Sequence, residues 1–185
     1  LAQRGVAALP GFLAQHRITI LLCMSTTFRS VAALDHPRAQ RAAEQAPFCA
    51  SSLKEQFLTI RVLSLAGEPV LKGDVEDHAR LMQAGCVFMN CLASSEAGYI
   101  CRTVIDKDTP SHGELMPAGY PVEGVEITLV DELGNTVPHG MSGEIVVRSR
   151  FLSLGYWARP DLTSASFRDD PEGAGRRIFH TGDLG

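Results

Sequence analysis

Apolar positions in the first half of the chain follow two patterns, helical spacing and short continuous runs. Helical spacing, or an alanine-rich polar composition, predicts helices at residues 4–16, 37–46 and 73–85. Continuous apolar runs predict buried strands at residues 18–24, 58–67 and 86–91. Strands that alternate with helices pair in parallel, so we expect an α/β subdomain with a parallel sheet and flanking helices over residues 1–108.

The second half of the chain has a different pattern. Apolar and polar residues alternate over residues 125–130 and 144–147, and turns that contain Gly and Pro join the two runs. This pattern predicts antiparallel strands. Residues 105–121 are rich in turn formers and predict a connector. We therefore expect a smaller, antiparallel β subdomain over residues 109–185.

Composition narrows the possible partners and the location. Of the 185 residues, 45% are hydrophobic and 21% are charged, and the formal net charge is −4, as is ordinary for a globular protein. This charge favours neither nucleic acid nor an anionic membrane as a partner, and the longest apolar run, residues 18–24, is too short to span a bilayer. The five cysteines form no C-x-x-C pair, so we expect reduced thiols in the cytoplasm rather than disulfides or a zinc site.

Two predicted strands end in small residues that are followed by an acid, at residues 64–69 and 90–98. Ligands of parallel α/β sheets gather at the carboxyl ends of the strands. In the second segment we expect the strand to end at Cys91 and a turn of small residues to follow, so that Glu96 projects a carboxylate able to hold Mg²⁺. The alternative is that residues 94–96 cap the start of a helix.

The end of the chain carries a second candidate carboxylate. Asp183 follows Thr181 and Gly182, and a carboxylate in such a turn can accept hydrogen bonds from the two hydroxyls of a ribose. The alternative is a plain turn in which Asp183 satisfies its own backbone. Residues 169–177 predict an exposed hairpin turn with ordinary charges, and we expect Trp157 to pack in the second subdomain.

Six segments of the chain share an order and spacing that is found in one enzyme family. Three of them are "LSLAGEPV", "NCLASSEAG" and "IFHTGDLG", which are similar to "xxxGGExL", "NxYGxTE" and "YxTGDL". The others are "HRITILLCMSTTFRS", "GYPVEGVEITLVDELGNTVPHGMSGEIVVRS" and "LGYWARPDLTSASF". Together they resemble the AMP-forming adenylating enzymes, above all the adenylation domains of nonribosomal peptide synthetases. The resemblance implies that the chain is the C-terminal part of the large N-terminal domain of such an enzyme.

The resemblance implies a role for each matching residue. Glu96 would be the catalytic carboxylate linked to Mg²⁺ beside the ATP phosphates, Ser95 would lie near the α-phosphate, and Asp183 would bind the ribose. The residues implied to border the adenine are Gly67, Glu68, Asn90, Leu92 and Ala93. Those implied to line the pocket for the carboxylic acid are Ser64, Ala66, Cys91 and Tyr99. Glu144 would support the second subdomain rather than touch the ligand.

The implied activity is the activation of a carboxylic or amino acid by ATP and Mg²⁺. The acid attacks the α-phosphorus, pyrophosphate leaves, and the acyl group then passes to the phosphopantetheine thiol of a carrier protein, or to coenzyme A in an acyl-CoA ligase. The family's phosphate loop has no counterpart in this chain, and its hinge and lid would follow Gly185. We therefore expect an internal fragment with negligible turnover on its own.

Two alternatives from other classes stay open. The segment "LASSE" replaces "YGxTE", which removes a stacking ring and a glycine, and this favours a degenerate docking module without catalysis. The retention of Glu96 and Asp183 argues against that reading. The second alternative is an unrelated α/β binding protein that matches by chance, which would lack a parallel sheet before residue 110.

Overall fold

The computed structural model describes residues 5–35, 52–106, 108–173 and 175–185. The chain forms two compact units. Unit 1 comprises Leu1–Cys91 and Thr103–Gly119, and unit 2 comprises Leu92–Arg102 and Tyr120–Gly185. The chain thus passes from one unit to the other three times. The division into residues 1–108 and 109–185 stays a prediction.

The parallel strands belong to unit 1, except for the last three residues of the third strand. They are β1 (Ile20–Cys23), β2 (Val62–Ala66) and β3 (Val87–Ser94). Each pairs in parallel with the next, and the register places Ser64 between Leu22 and Met89. These strands coincide with the three apolar runs, so the predicted parallel α/β sheet is confirmed.

The helices of unit 1 alternate with these strands along the chain. They are α1 (Leu9–Gln15), α2 (Ser25–Ala32), α3 (Leu53–Gln56) and α4 (Lys72–Leu81). Helices α1 and α4 confirm two of the predicted helices, and the third, at residues 37–46, lies outside the described residues. The sequence analysis missed α2, because only Phe28, Val31 and Ala32 mark its buried face over a length too short for a periodic pattern.

Aromatic and aliphatic side chains build the core of unit 1. Phe28 of α2, Phe57 after α3 and Phe88 of β3 are fully buried in one cluster with Leu63 and Leu65 of β2. Truncating one such phenylalanine to alanine costs ~3–5 kcal/mol. This packing fixes the positions of β2 and β3, which carry the candidate residues at their carboxyl ends.

Antiparallel pairing prevails in unit 2. Strand β4 (Gly98–Ile105), whose last three residues belong to unit 1, pairs with β5 (Tyr120–Pro121), and the order of this first sheet is β1-β2-β3-β4-β5. The remaining elements are β6 (Val125–Val130), β7 (Glu144–Ser149), α5 (Pro160–Ser166), β8 (Phe167–Asp169) and β9 (Arg177–Leu184). They form a second sheet with the strand order β6-β7-β9-β8, and the predicted antiparallel pair is confirmed as β6 and β7.

A separate apolar cluster forms the core of unit 2. Ile100 of β4 and Val147 of β7 are buried in it together with Phe167 and Phe179. The rings of Phe167 and Phe179 stack with centroids 4.7 Å apart. Each unit therefore has its own core.

The expected packing of Trp157 is wrong. Its side chain is 97% exposed, because it lies in the turn before α5, where Ala158 adopts a left-handed backbone with φ 52°. The neighbouring Tyr156 packs against the core instead, with its ring 5.7 Å from that of Phe167 in an edge-to-face arrangement. The sequence placed the aromatic contact one residue too late.

The hairpin predicted at residues 169–177 is confirmed, since β8 and β9 pair in antiparallel fashion on either side of it. Its charges are not ordinary, however. The side chain of Asp170 is fully buried and faces the guanidinium groups of Arg148 and Arg176. Burial of a carboxylate requires opposite charge, and two arginines supply it here.

Several features of the described ranges bear on location and ligands. No helix in those ranges is long and apolar enough to cross a bilayer. Within the same ranges, no three side chains of His, Cys, Asp or Glu come together as metal ligands. Cys86, Cys91 and Cys101 are buried free thiols and Cys23 is half-buried, whereas Cys49 lies outside the described residues.

Candidate functional site

Two of the predicted pocket residues meet at the carboxyl ends of β2 and β3 in unit 1. The hydroxyl of Ser64 lies 3.4 Å from the thiol of Cys91, and both side chains are buried. Ala66, one residue pair further along, is in register with Cys91. These side chains are small because neighbouring strands bring them together, and they leave a mixed polar and apolar surface at the strand ends.

The turn after β2 holds the predicted adenine-bordering residues Gly67 and Glu68. Gly67 has φ 84°, a left-handed conformation that favours glycine. The carboxylate of Glu68 accepts hydrogen bonds from the backbone N–H of Thr26 at 2.8 Å and from its hydroxyl at 3.1 Å. Glu68 therefore caps the start of α2, a local role that the sequence analysis did not identify.

Asn90 of β3 has a structural contact of its own in unit 1. Its side chain is only 6% exposed, and Nδ2 donates to the carbonyl oxygen of Pro117 at 2.8 Å. The returning segment Thr103–Gly119 is also tied to unit 1 by Met116, whose N–H donates to the carbonyl of Val70 at 2.9 Å. Asn90 thus fixes this segment to the strand that carries it.

The course of the chain after Cys91 differs from the prediction. Strand β3 does not end there but continues through Ser94, and a turn at residues 95–97 leads into β4. Neither the early turn nor the alternative helix forms, because Leu92 packs against the core of unit 2 and keeps the chain extended. The hydroxyl of Ser94 accepts from the N–H of Ala97 at 3.2 Å and closes the turn.

Glu96 lies in this turn and is held at both its backbone and its side chain. The N–H of Ser153 donates to its carbonyl oxygen at 2.7 Å. The phenol of Tyr156 donates to its Oε1 atom at 2.9 Å, and this bond raises the pKa of Tyr156 above its ordinary value. The sequence analysis missed Tyr156, although the residue is part of the segment "LGYWARPDLTSASF".

Asp183 is exposed near the end of β9 in unit 2. Its N–H donates to the hydroxyl of Thr181 at 3.0 Å, and that hydroxyl donates to the carbonyl of Ile145 at 2.7 Å. Gly182 between them has φ 76°, where the pairing of β9 with β7 shifts register. The Asp183 carboxylate is left outside these backbone contacts.

Glu144 of β7 holds the residues before Asp183. Its Oε1 atom accepts from the N–H of Gly182 at 3.0 Å, and its Oε2 atom lies 3.1 Å from Nδ1 of His180. These contacts, first of all the one to His180, lower the pKa of Glu144 below its ordinary value. The expectation that Glu144 supports the second subdomain agrees with contacts that all lie within unit 2.

The other predicted residues of unit 2 stand apart from these contacts. Ser95 is exposed, Ala93 is half-buried, and Tyr99 is 43% exposed. In the part of the chain that the structure describes, no hydrogen bond joins any two of the predicted site residues of unit 2. Ser64 and Cys91 remain the one pair that a side-chain contact joins within the described residues of unit 1.

A cleft of about 510 Å³ lies elsewhere on unit 2. Its lining consists of Tyr156, Ala158, Arg159, Pro160, Thr163, Ser164, Phe167, Arg168, Asp169 and Arg177. No predicted site residue is among them. Tyr156 links the two places, because it lines the cleft and bonds to Glu96.

Comparison with known proteins places these observations in context. A family model described as AMP-binding enzyme matches residues 2–157. Gramicidin S synthase 1 of Brevibacillus brevis is 32% identical over 131 residues, which cover 70% of this chain and 11% of that protein. Overall, the chain spans between 2% and 11% of the length of the curated relatives that it matches.

Solved structures share the fold over nearly the whole chain. CmiS6 is 27% identical with a TM-score of 0.73, and the match covers 97% of this chain and 40% of that one. The nonribosomal peptide synthetase FmoA3, in its AMPPNP-bound form, is 20% identical with a TM-score of 0.76, and the match covers 97% of this chain and 18% of that one. The predicted fold class, an α/β part followed by an antiparallel part, is confirmed.

Proposed function

The chain belongs to the AMP-binding enzyme family, and from this premise we propose that it is part of an enzyme that activates a carboxylic or amino acid with ATP. The products are an acyl- or aminoacyl-AMP and pyrophosphate. The family match over residues 2–157 is the observation that carries the proposal. The similarity to gramicidin S synthase 1 supports a peptide synthetase, in which a carrier-protein thiol accepts the acyl group.

In this proposal Asp183 binds the ribose. A carboxylate can accept one hydrogen bond from each of two vicinal hydroxyls, and that of Asp183 is exposed and outside the backbone contacts of β9. Glu144 and Thr181 hold the backbone on either side of Gly182. The adenine lies beside the turn of Gly67 and Glu68 and beside Asn90, Leu92 and Ala93.

Glu96 suits Mg²⁺ as a single carboxylate ligand. Mg²⁺ in nucleotide sites is held by one or two carboxylates, water and the phosphates, rather than by a cage of protein ligands. The described residues offer no cluster of three acidic, histidine or cysteine ligands, which agrees with a cation that arrives with ATP. When bound, Mg²⁺ neutralises phosphate charge as the acid attacks. Ser95 contributes an exposed hydroxyl beside Glu96 for the α-phosphate.

The acid is proposed to bind beside Ser64, Ala66, Cys91 and Tyr99. The contact between Ser64 and Cys91 supports a pocket floor with a hydroxyl and a thiol. Positioning supplies most of the catalysis in this reaction, since holding the acid against the α-phosphorus replaces a bimolecular encounter. Transfer to coenzyme A, as in an acyl-CoA ligase, is the alternative for the second step.

ATP–pyrophosphate exchange by the native-length gene product tests the proposal. The panel contains amino, fatty and aryl acids, and exchange that depends on one class of acid is the expected result. Asp183→Ala is expected to abolish nucleotide binding. The 185-residue chain alone is expected to show negligible turnover, and an acyl-AMP formed by it above background would overturn that part.

A degenerate docking module is the second candidate, favoured by the replacement of "YGxTE" with "LASSE". The loss of an aromatic ring removes a stacking contact worth ~1 kcal/mol. A native-length product that folds and shows no exchange with any acid would support this candidate. Nucleotide binding that Asp183→Ala removes would favour the enzyme.

A further inference from the structure

We propose that Tyr156 is a positioning residue that orients the Glu96 carboxylate for the divalent cation. The inference rests on the proposed function, in which Glu96 is the ligand of Mg²⁺. The phenol donates to Oε1 of Glu96 at 2.9 Å. Among the described residues Oε2 has no hydrogen-bond partner, so the contact divides the carboxylate into an anchored oxygen and one that is left for a cation.

Tyr156 is itself held in place by α5 and β8. Its backbone N–H donates to the hydroxyl of Thr163 at 2.9 Å, and its ring meets Phe167 edge to face. Thr163 comes so close to the chain that a Cβ at Gly155 would lie 2.3 Å from its methyl carbon. A glycine before Tyr156 is therefore required for this approach, and the phenol is fixed before any ligand binds.

Glu96 is fixed from the same stretch of chain. The N–H of Ser153 donates to the carbonyl of Glu96 at 2.7 Å, three residues before Tyr156 donates to its side chain. Residues 153–156 thus hold both the backbone and the carboxylate. An acid in a turn otherwise samples several rotamers, and a pre-oriented ligand binds a cation without that entropic cost.

The experiment measures the affinity of AMPPNP for the native-length gene product by calorimetry, with Mn²⁺ and with EDTA. The ratio of the two affinities is the gain due to the metal. Tyr156→Phe keeps the ring and removes the hydroxyl, and it is expected to reduce this gain about tenfold, because hydrogen bonds to charged groups are worth about that factor. Affinity in EDTA is expected to stay unchanged.

Tyr120→Phe is the matched control, since Tyr120 is exposed in the same unit and bonds to no site residue. It is expected to keep the wild-type gain. In a Glu96→Gln background, Tyr156→Phe is expected to have no further effect. In exchange assays the concentration of Mg²⁺ at half-maximal rate is expected to rise about tenfold in Tyr156→Phe, while the rate at saturating Mg²⁺ is retained.

Each outcome separates the inference from the proposed function. Equal gains in wild type and Tyr156→Phe would overturn the inference alone, and so would a further loss in the Glu96→Gln background. A wild-type protein that binds AMPPNP equally with and without Mn²⁺ would remove the metal role of Glu96, and the inference with it. Should Tyr156→Phe fail to fold, Thr163→Val, which removes the acceptor for the Tyr156 N–H, is expected to reduce the gain about threefold, and an unchanged gain there would overturn it.

Discussion

Nε of Arg176 lies 2.9 Å from the Oδ2 atom of Asp170, whose side chain is fully buried. The two atoms are not aligned as a hydrogen bond, so the contact is a close pair of charges. Arg148 approaches the same oxygen at 3.6 Å. The other oxygen, Oδ1, accepts from the N–H of Glu172 at 3.1 Å. The hairpin between β8 and β9 therefore depends on two arginines to compensate one buried carboxylate.

Arg176→Ala is expected to lower the free energy of unfolding by ~2–4 kcal/mol, because the buried Asp170 then loses the nearer of its two compensating charges. Urea-induced unfolding followed by circular dichroism measures the loss. Arg159→Ala is the control, since Arg159 pairs with Asp161 and both are exposed, and such pairs contribute under ~1 kcal/mol. Equal stability of the two variants would show that the buried carboxylate needs no arginine.

Asp74 plays a comparable part in unit 1. Its side chain is 1% exposed and accepts two hydrogen bonds from Arg29, at 2.8 and 2.7 Å, and a third from the N–H of Leu71 at 2.8 Å. We expect Asp74→Ala to cost ~2–4 kcal/mol in urea-induced unfolding, because it leaves a donor of Leu71 and the Arg29 guanidinium without their acceptor.

The matched control for Asp74 lies on the same helix. Asp77 of α4 pairs with Arg80 at the surface, so Asp77→Ala is expected to cost less than ~1 kcal/mol. If the two variants unfolded at the same urea concentration, the paired carboxylate of Asp74 would not be a main support of α4.

Glu144 is expected to make stability depend on pH on the acid side. Its pKa is lowered in the folded state by His180 and by the N–H of Gly182. A lowered folded pKa means that the stabilisation is complete above the ordinary pKa of glutamate and is lost as the pH falls through the folded value. The difference in unfolding free energy between wild type and Glu144→Gln should therefore shrink as the pH falls from about 6 to about 3.

Urea-induced unfolding at several pH values in that range measures this difference. Glu132→Gln serves as the control, because Glu132 is exposed in the turn after β6, and it should change stability little at any of these pH values. A difference for Glu144→Gln that stays constant across the range would contradict the prediction.

Cys23 is expected to resist alkylation in the folded protein. Burial raises the pKa of its thiol to about 11, so about one molecule in a thousand carries the thiolate at pH 8, against roughly a quarter for a free cysteine. Iodoacetamide labelling at pH 8, followed by peptide mass spectrometry, should leave Cys23 unmodified in buffer and modified in urea. Labelling in buffer at the rate of a free thiol would contradict this.

Local pattern was enough to predict most of the elements. The strands β2 and β3 are continuous apolar runs because both their faces are covered, and β6 alternates because one face is exposed. Helix α2 escaped prediction because its start is fixed by Glu68, which follows it by more than forty positions. The extension of β3 beyond Cys91 escaped because Leu92 is kept extended by a core to which distant residues contribute.

The candidate site shows the same division between local and long-range information. Glu96 and Asp183 could be identified because each lies in a short ordered motif. Tyr156 could not, because its contact with Glu96 joins positions 60 apart along the chain. For the same reason the aromatic packing assigned to Trp157 belongs to its neighbour, since exposure in a turn depends on backbone conformation rather than on residue type.

The threefold passage of the chain between the units has a consequence for its synthesis on the ribosome. Unit 1 needs Thr103–Gly119, which brings Met116 into its core. It therefore cannot close when Cys91 has been made, and must wait until eleven residues of the other unit, Leu92–Arg102, have also emerged. Domains that are contiguous in sequence mature one after the other during translation, whereas these two units must complete their folding on overlapping schedules.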